Sequence, residues 1–471
     1  MKVWKTQEYW MYFKFFKLHS WGKRSAIHRR RFIQRFLRGN TMDRNAKTRI
    51  IEYIENHKER LFEILSELIK INSENFGIHG NEKEIAAFIS EKMKAMDIKS
   101  EVYTPDSISG LTEHHEYLPG RNTDKRPNVT GVIKGTNSKG KLMLTAHIDT
   151  MPIGDRSLWS EDPLGGEIKN GRIYGRGACD DKYAVATFLF LAETLRKLNI
   201  PLSNDLYFTG YCDEEFGGGN GALAACLKYP CDVYVNLDCK NMRIWNCAVG
   251  GRREALTLMK DAACITVDDM IDAIGVAKEE LHTFGENRKR ELSENPRFAG
   301  TNIPNESMRI LCMQSGMNTN DRNCAHIEFS YYTDKPEAEI KGELVALAER
   351  INTRMKETGV YVKSITPVTR YFRYAFTESN NEYIKLLKNA GKETIGEEII
   401  EEASCLSDLN IFINNGSRKS FSFGIGRDFN VEGGAHLKDE FVECERLAEF
   451  AKTIAAFVCD WDLEQQKGVS I

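Results

Sequence analysis

The segment LMLTAHIDT, Leu142–Thr150, constrains the fold of this chain most strongly. Its apolar residues lead into His147 and Asp149, which predicts a buried strand with polar side chains at its carboxyl end. Other short apolar or glycine-rich segments carry further polar side chains: Asp180, Asp181, Glu214, Glu215, Asp238 and His436. Imidazoles and carboxylates gathered at strand ends suit a pair of divalent metal ions, so the pattern predicts a hydrolase with a two-metal centre.

Strand and helix patterns alternate along most of the chain after Met42. Predicted strands end near Lys134, Ala146, Tyr211 and Leu237, and segments with one apolar helical face separate several of them. Such an alternation predicts an α/β fold, with a mostly parallel mixed sheet flanked by helices.

The pattern changes after Gly251, where the predicted elements follow the order βαββαβ. Helices are predicted at Val267–Leu281 and Glu337–Thr358, and the polar segment Asn287–Ser307 is predicted to be a loop. The α/β pattern returns after about Tyr371, so the small unit is an insertion. The predicted domains are an N-terminal extension (1–41), a discontinuous catalytic domain (42–249 and 369–471) and an inserted domain that we call the lid (250–368).

The composition argues against several protein classes. The net charge is −3, and the main body has no basic stripe of the kind that binds nucleic acid. No apolar run approaches the roughly 20 residues that span a bilayer. The 12 cysteines are scattered without a CxxC pair, which fits a cytoplasmic protein. Cys179 and Cys212 adjoin acidic residues, and we interpret both as packing residues, with soft-metal ligation as the alternative.

Residues 1–41 differ from the rest of the chain. They are rich in aromatic and basic residues, and Glu8 is their single acid. The segment HRRRFIQRFLRGN could form a basic amphipathic helix for a membrane surface or for targeting. We favour an over-extended start or a disordered tail, because a helix typical of a domain beginning starts at Met42.

The first two polar pairs allow both functional and ordinary structural interpretations. His147 and Asp149 lie two residues apart on a predicted strand and face the same way, which suits a metal-bound imidazole with a carboxylate behind it. An ordinary polar strand end is the alternative. Asp181 fits the N-cap of the next helix, which leaves Asp180 to bridge two ions, although both residues could serve as caps.

The remaining candidates are weaker when each is taken alone. Glu214 and Glu215 are adjacent carboxylates that need cations if they are buried, but a solvated acidic turn is common. The GGGNG that follows lacks the lysine of a phosphate-binding P-loop. Asp238 follows a predicted strand, and His436 follows a Gly-Gly pair, an unusual place for a core histidine.

Together these motifs resemble one family. The resemblance is densest in AHIDTMPIGDRSLWSEDPLGGEIKNGRIYGRGACDDK and DEEFGGGNG, and it includes RPNV, FGIG and GGAHLKDEFV. From about Met42 to Asp460, the chain is similar to the zinc metallopeptidases that include acetylornithine deacetylase, succinyl-diaminopimelate desuccinylase, glutamate carboxypeptidase and aminoacylase.

The resemblance implies two zinc ions, with cobalt or manganese as possible replacements. It assigns His147 and Asp238 to one ion, Glu215 and His436 to the other, and Asp180 to both.

The resemblance also implies how catalysis is arranged. Glu214 would be the general base, and Asp149 would be the partner of His147. The peptide bond between Asp180 and Asp181 would be cis, and the lid would be ferredoxin-like and often used for dimerisation.

The lid differs from the family pattern in two respects. Relatives often have a lid histidine that stabilises the oxyanion and a lid arginine that binds a substrate carboxylate. This lid contains His282 and His326 in unfamiliar contexts, and Tyr331 and Tyr332 lie where the arginine is expected. Asn320 matches a family asparagine. The arginines that could replace the missing one, or could be ordinary surface charges, are Arg252, Arg253, Arg309 and Arg322.

We therefore predict an amidohydrolase that removes an acyl group from an N-acyl amino acid. A dipeptidase or aminopeptidase on the same scaffold is one alternative, and a non-catalytic binding protein is another. The intact set of candidate site residues favours an enzyme. The expected partners are a small molecule or short peptide and a second copy of the chain bound through the lid, but not nucleic acid or a membrane.

Overall fold

The structure, a computed structural model, describes residues 45–261, 267–315 and 324–466. The extension predicted for residues 1–41 lies outside these ranges, as do Asn320 and Arg322 of the lid. Among the residues that are described, no helix is long and apolar enough to cross a membrane. The domain boundaries given above remain predictions.

The predicted elements are present, with small shifts at their ends. The first predicted helix, from Met42, is helical over residues 45–56 and again after His57. The described helices of eight residues or more after His57 are α1 (Lys58–Ile69), α2 (Glu82–Ala95), α3 (Lys182–Lys197), α4 (Asn220–Lys228), α5 (Val267–Glu294), α6 (Glu337–Arg354), α7 (Glu382–Thr394) and α8 (Cys444–Gln466). The described strands are β1 (Lys99–Tyr103), β2 (Asn128–Ile133), β3 (Lys141–His147), β4 (Ile168–Lys169), β5 (Arg172–Tyr174), β6 (Asp205–Tyr211), β7 (Val233–Asn236), β8 (Arg243–Ala248), β9 (Gly250–Met259), β10 (Met308–Ser315), β11 (Cys324–Thr333), β12 (Tyr361–Pro367), β13 (Ala375–Phe376), β14 (Glu401–Ser404), β15 (Phe421–Gly424) and β16 (Phe441–Glu443).

A nine-stranded mixed sheet forms the larger part of the fold. Its strand order is β1-β2-β6-β3-β7-β15-β8-β13, and β14 pairs with β8. The central strands run parallel, since β3 pairs in parallel with β6 and β7, and β15 with β7. Strands β6 and β7 are buried along their whole length, as expected for a parallel sheet covered on both faces. The predicted α/β fold class is confirmed.

Helices cover this sheet because their apolar faces match its buried surfaces. In α3 the run from Lys182 to Ala192 is buried throughout, and its side chains share one hydrophobic core with α1 and α8. The parallel strands β6, β3, β7 and β15 run in one direction inside this common core. Their carboxyl ends come out at the same edge of the sheet, where the polar candidates lie.

The lid has the predicted βαββαβ order and a ferredoxin-like arrangement. Its strands form a second, antiparallel sheet in the order β10-β11-β9-β12. Helices α5 and α6 pack on this sheet over a separate core that contains Leu258, Phe284, Ile327, Phe329 and Leu347.

The main differences from the sequence prediction are the end of α5, helix α8 and the strand β8, which was not predicted. The segment predicted as a loop from Asn287 continues α5 to Glu294. The buried face of the helix continues through this segment, because Leu292 is fully buried and the buried Arg288 pairs with Glu343 at 2.6 Å. The remainder of the predicted loop contains two short 3₁₀ turns, Pro296–Phe298 and Ile303–Glu306. Helix α8 was not predicted at all, although it packs its apolar face into the main core.

Candidate metal centre

Five side chains from distant parts of the sequence meet beyond the carboxyl ends of the parallel strands. Nε2 of His147 lies 2.9 Å from one carboxylate oxygen of Asp180, and Nε2 of His436 lies 3.1 Å from the other. The His436 nitrogen also lies 2.7 Å from Oε2 of Glu215. Potential ligand atoms form two groups, His147–Asp180–Asp238 and Asp180–Glu215–His436, and within each group they lie within 4.8 Å of one another. Asp180 belongs to both groups.

The topology explains why these residues meet. His147 is the last residue of β3, Glu215 follows β6, and Asp238 follows β7. Because β3 runs parallel to both β6 and β7, the three strands end at one edge of the sheet. Asp180 lies in the turn before α3, and the peptide bond to Asp181 is cis, as the resemblance implied.

Asp149 supports His147 through its backbone rather than through its carboxylate. The backbone carbonyl oxygen of Asp149 lies 2.9 Å from Nδ1 of His147, whereas its nearest carboxylate oxygen is 3.8 Å from that nitrogen. The carboxylate instead accepts hydrogen bonds from the backbone amides of Glu214 and Glu215, at 3.0 and 3.1 Å. Asp149 therefore contacts both the His147 imidazole and the turn that carries Glu214 and Glu215, which we call the acidic turn.

The interpretation of Asp181 as a capping residue needs a correction. Asp181 occupies the N-cap position of α3, but its side chain makes no capping hydrogen bond there. The side chain is completely buried, and burial raises the pKa of its carboxyl group well above the usual range. The difference arises because the side chain points into the protein rather than along the start of the helix.

A tightly packed loop presents His436. Gly433 has a φ of +62°, and a Cβ there would lie 2.3 Å from the Phe441 ring. A Cβ on Gly434 would lie 2.0 Å from the backbone oxygen of Asp428. The Gly-Gly pair therefore allows a close approach that larger residues would block.

One buried ion pair joins this loop to the Asp180 turn. Arg176 pairs with Glu440 at 2.6 Å, and it also donates a hydrogen bond to the backbone oxygen of His436 at 3.1 Å. The other carboxylate oxygen of Glu440 accepts a hydrogen bond from the backbone amide of Cys179 at 2.9 Å. These contacts set the distance between His436 and Asp180.

The electrostatics of the site indicate a need for positive charge. Burial would raise the pKa of Asp180, but hydrogen bonds from His147 and His436 outweigh it and hold that pKa below the usual range. Burial, together with the charge on Asp180, raises the pKa of Asp238 to about 7. Burial also raises the pKa of Glu214 well above its ordinary value, opposed by His147.

The donor set fits two divalent metal ions. Burial lowers the pKa of His436, but the nearby carboxylates of Glu215 and Asp180 raise it to about 11. Without a metal, the cluster thus keeps protons on groups that a divalent cation would deprotonate. Imidazole nitrogens and carboxylate oxygens are ligands that zinc and similar ions accept. The residues present therefore match a dinuclear metal site in number, type and spacing.

A cleft of about 300 Å³ opens over these side chains, and we call it the metal-site cleft. Glu214 lies in its wall beside the ligand candidates. The residues that line it from the lid are Arg253, Arg309, Leu311, Ser330 and Tyr332. Aromatic residues of the main fold line it as well: Phe216, Trp245, Phe372 and Phe429.

The structure separates the lid residues that the sequence left as alternatives. Arg252 is buried in an ion pair with Glu254 at 2.6 Å, whereas Arg253 lines the cleft. Tyr331 is fully buried in the lid core, whereas Tyr332 lines the cleft. Neighbouring residues of a strand point to opposite faces, so each pair divides in this way.

The two lid histidines lie away from the metal-site cleft. His282 lines a separate groove beside α5, and His326 is exposed on β11, with Nδ1 3.0 Å from Oγ1 of Thr257. Within the described part of the chain, neither histidine lines the metal-site cleft.

The sequence analysis missed the Arg176–Glu440 ion pair and also a contact made by Asn75. Nδ2 of Asn75 donates a hydrogen bond to Oδ2 of Asp149 at 2.8 Å. Asn75 lies in a polar segment between α1 and α2, and no spacing or motif separates it from an ordinary loop residue. Its proximity to Asp149 arises from tertiary packing.

Comparison with known proteins places this site in a family. Residues 143–460 match Peptidase family M20/M25/M40. The chain belongs to this family. As a member of the M20 family it is a hydrolase that acts on amide bonds, which confirms the predicted class of enzyme.

Individual M20 relatives agree with this assignment. The chain is 24% identical over 448 residues to N-formyl-4-amino-5-aminomethyl-2-methylpyrimidine deformylase from Bacillus subtilis (strain 168), covering 87% of this chain and 96% of that protein. Its fold is similar to that of human carnosine dipeptidase 1, with a TM-score of 0.66, 14% identity, and coverage of 88% and 100%. It is also similar to Bacillus subtilis YXEP, described as a dinuclear metal-binding M20 peptidase, with a TM-score of 0.55, 16% identity, and coverage of 86% and 99%.

Proposed function

We propose that this M20 hydrolase is a two-zinc enzyme that cleaves the amide bond of an N-acyl amino acid. His147 and Asp238 bind one ion, Glu215 and His436 bind the other, and Asp180 binds both. Cobalt or manganese could replace zinc at the same donors. The observation that carries the proposal is the position of Asp180, whose two oxygens lie 2.9 and 3.1 Å from the two imidazoles.

The surrounding residues then have defined roles in hydrolysis. When bound, the two ions supply Lewis acidity for the scissile carbonyl group and lower the pKa of the attacking water. Glu214 takes the proton from that water and delivers it to the nitrogen of the leaving amine. Asp149 holds the Glu214 amide in place, and its carbonyl oxygen orients the His147 ring.

The cationic side of the cleft supports a substrate that carries a carboxylate. Arg253 and Arg309 lie in the cleft wall, and their side chains are 38% and 51% exposed. Each guanidinium also faces one glutamate, Glu328 at 3.9 Å from Arg253 and Glu306 beside Arg309, so a substrate carboxylate would share or replace that partner. Guanidinium groups bind carboxylates through paired hydrogen bonds. We propose that these two arginines take the role of the missing family arginine.

A second candidate substrate class follows from the aromatic wall of the cleft. Phe429 is 55% exposed and offers a ring surface to a flat heterocycle, whereas Trp245 and Phe372 contribute to the cleft wall with only 8% and 4% of their surfaces exposed. The Bacillus subtilis relative, similar over nearly the whole chain, is named as a deformylase of an N-formylated aminomethylpyrimidine. An N-formyl aminomethyl heterocycle is therefore the alternative to an N-acyl amino acid.

Other parts of the proposal concern the whole chain. We propose a cytoplasmic enzyme with the discontinuous catalytic domain and the lid as predicted. A homodimer through the lid is supported by β10, an edge strand of the lid sheet on which Ile310 and Met313 are 50% and 55% exposed.

A hydrolysis screen of the zinc-loaded protein tests the proposal. The panel contains N-acyl amino acids, matched N-acyl amines without the carboxylate, N-formyl aminomethylpyrimidines, and dipeptides with a free amine. We expect the N-acyl amino acids to have the highest kcat/KM. Preference for dipeptides would favour the peptidase alternative, and no cleavage of any amide by protein that holds two metal ions would refute the proposal.

A further inference from the structure

We propose that Asn75 is a positioning residue that holds Asp149, and through it the acidic turn and His147, in the geometry that binds two metal ions. This inference rests on the proposed function. Asp149 contacts both His147 and the acidic turn. Its carboxylate has three donors, which are the Asn75 side chain and the backbone amides of Glu214 and Glu215.

The orientation of the Asn75 amide is set by its own contacts. Its Oδ1 accepts a hydrogen bond from the backbone amide of Gly77 at 2.8 Å, which leaves Nδ2 to donate to Asp149. The backbone amide of Asn75 donates to the carbonyl oxygen of Thr150 at 2.8 Å. Asn75 is also completely buried, so water cannot replace its side chain.

Asp149 depends on neutral donors for its stability. Its side chain is completely buried, and along the described ranges no lysine or arginine pairs with it. Its carboxylate instead accepts from Asn75 and from two backbone amides. A buried carboxylate that loses one of three donors moves toward other donors, because its charge is no longer compensated where it stands.

The segment that carries Asn75 is tied to the acidic turn at a second point. Arg121 donates hydrogen bonds to the backbone oxygens of both Gly77 and Phe216, the latter at 2.7 Å. Arg126, completely buried, donates to the Gly77 oxygen at 3.0 Å and pairs with Asp213 at 3.0 Å. The Asn75 segment and residues 213–216 thus form one connected unit, with the Asn75 amide as its contact to Asp149.

The variant Asn75→Asp keeps the side-chain shape but replaces the amide donor by an oxygen facing a carboxylate. We expect its zinc affinity to fall about 10- to 100-fold, which is typical when an outer partner of a metal ligand is lost. We expect kcat to fall by a similar factor with KM changed less than about threefold, because the substrate contacts lie elsewhere. Zinc affinity is measured by competition with a chromophoric chelator, and folding by circular dichroism.

A double-mutant cycle separates positioning from general destabilisation. The Asp149 atom that Asn75 contacts, Oδ2, also accepts hydrogen bonds from the backbone amides of Glu214 and Glu215. In Asp149→Ala this acceptor is gone, so adding Asn75→Asp should lower zinc affinity by less than about threefold, a coupling that independent sites do not show. A loss from Asn75→Asp that is as large in the Asp149→Ala background as in the wild type would overturn the inference.

The control is Asn81→Asp on the same segment, since Asn81 is exposed and its side chain makes no capping hydrogen bond. It should bind zinc like the wild type. A wild-type protein that binds no zinc contradicts the proposed function itself. A wild type with two zinc ions and an Asn75→Asp variant of equal affinity and kcat contradicts only the role of Asn75.

Discussion

At the scale of single residues, Glu214 is the group whose removal should separate metal binding from turnover. It lines the cleft without belonging to either ligand group. We expect Glu214→Gln to keep its two zinc ions and to lose turnover by about 10²- to 10⁴-fold, the usual contribution of a general acid–base group. Steady-state kinetics and metal analysis of the same sample measure both effects.

The matched control for Glu214 is Glu84→Gln, a change of an exposed glutamate on α2. It should alter neither metal content nor kcat. Near wild-type turnover of Glu214→Gln with both ions bound would show that another group moves the proton.

The two lid arginines provide a second test at this scale. We expect Arg253→Ala and Arg309→Ala each to raise KM for N-acyl amino acids by roughly 10-fold or more, because a charge-assisted contact to the carboxylate is lost. Matched substrates without the carboxylate should show little change. Arg290→Ala is the control, since Arg290 lies on α5 outside the metal-site cleft. Equal effects on both substrate types would contradict carboxylate binding.

At the scale of elements, the loop that carries His436 depends on the ion pair between Arg176 and Glu440. The Arg176 side chain is 4% exposed and that of Glu440 is fully buried. We expect Arg176→Met to lower the free energy of unfolding by about 3–5 kcal/mol, because it leaves a buried carboxylate without its partner. Urea denaturation measures the change, and zinc affinity should fall with it as the loop loses its anchor.

The exposed pair Arg156–Asp162 is the control for that prediction. Its side chains are 56% and 59% exposed, and the nitrogen and oxygen lie 2.6 Å apart. We expect Arg156→Met to cost about 1 kcal/mol or less, because exposed pairs are screened by solvent. Similar costs for the two variants would mean that the Arg176 pair does not hold the loop.

At the scale of the whole molecule, removing the metal should change how stability depends on pH. In the metal-free protein the raised pKa of Asp238, about 7, means that the folded state keeps a proton that the unfolded state releases above about pH 4. The raised pKa of His436, about 11, changes stability in the same direction, because above about pH 6.5 the folded state keeps a proton that the unfolded state releases. Both groups therefore stabilise the metal-free fold less as pH rises.

Zinc binding has the opposite trend, because the ligands must lose these protons. We expect the difference in unfolding free energy between zinc-loaded and chelator-treated protein to widen from about pH 5.5 to about pH 8. Urea denaturation at fixed free zinc measures this difference. Ionisable groups outside the site contribute equally to both proteins, so their contributions cancel from the difference. A difference that stays constant or narrows would contradict metal binding by these residues.

Local patterns predicted most of the fold, and the exceptions have physical causes. The apolar runs of β3, β6 and β7 identified parallel strands because those strands are buried on both faces. The predicted end of α5 was wrong because Arg288, a charged residue that suggested an exposed loop, is buried and forms an ion pair with Glu343 of α6. No local pattern contains that partner.

The sequence by itself determined the α/β class, the βαββαβ lid and the polar residues that follow strand ends, because these depend on short-range periodicity and on the rule that parallel strands end together. Only the tertiary structure decided that Arg253 rather than Arg252 lines the cleft, that Asp149 supports His147 through its carbonyl oxygen, and that Asn75 contacts Asp149. Those assignments depend on side-chain direction and on contacts between distant segments, and neither is encoded in spacing along the chain.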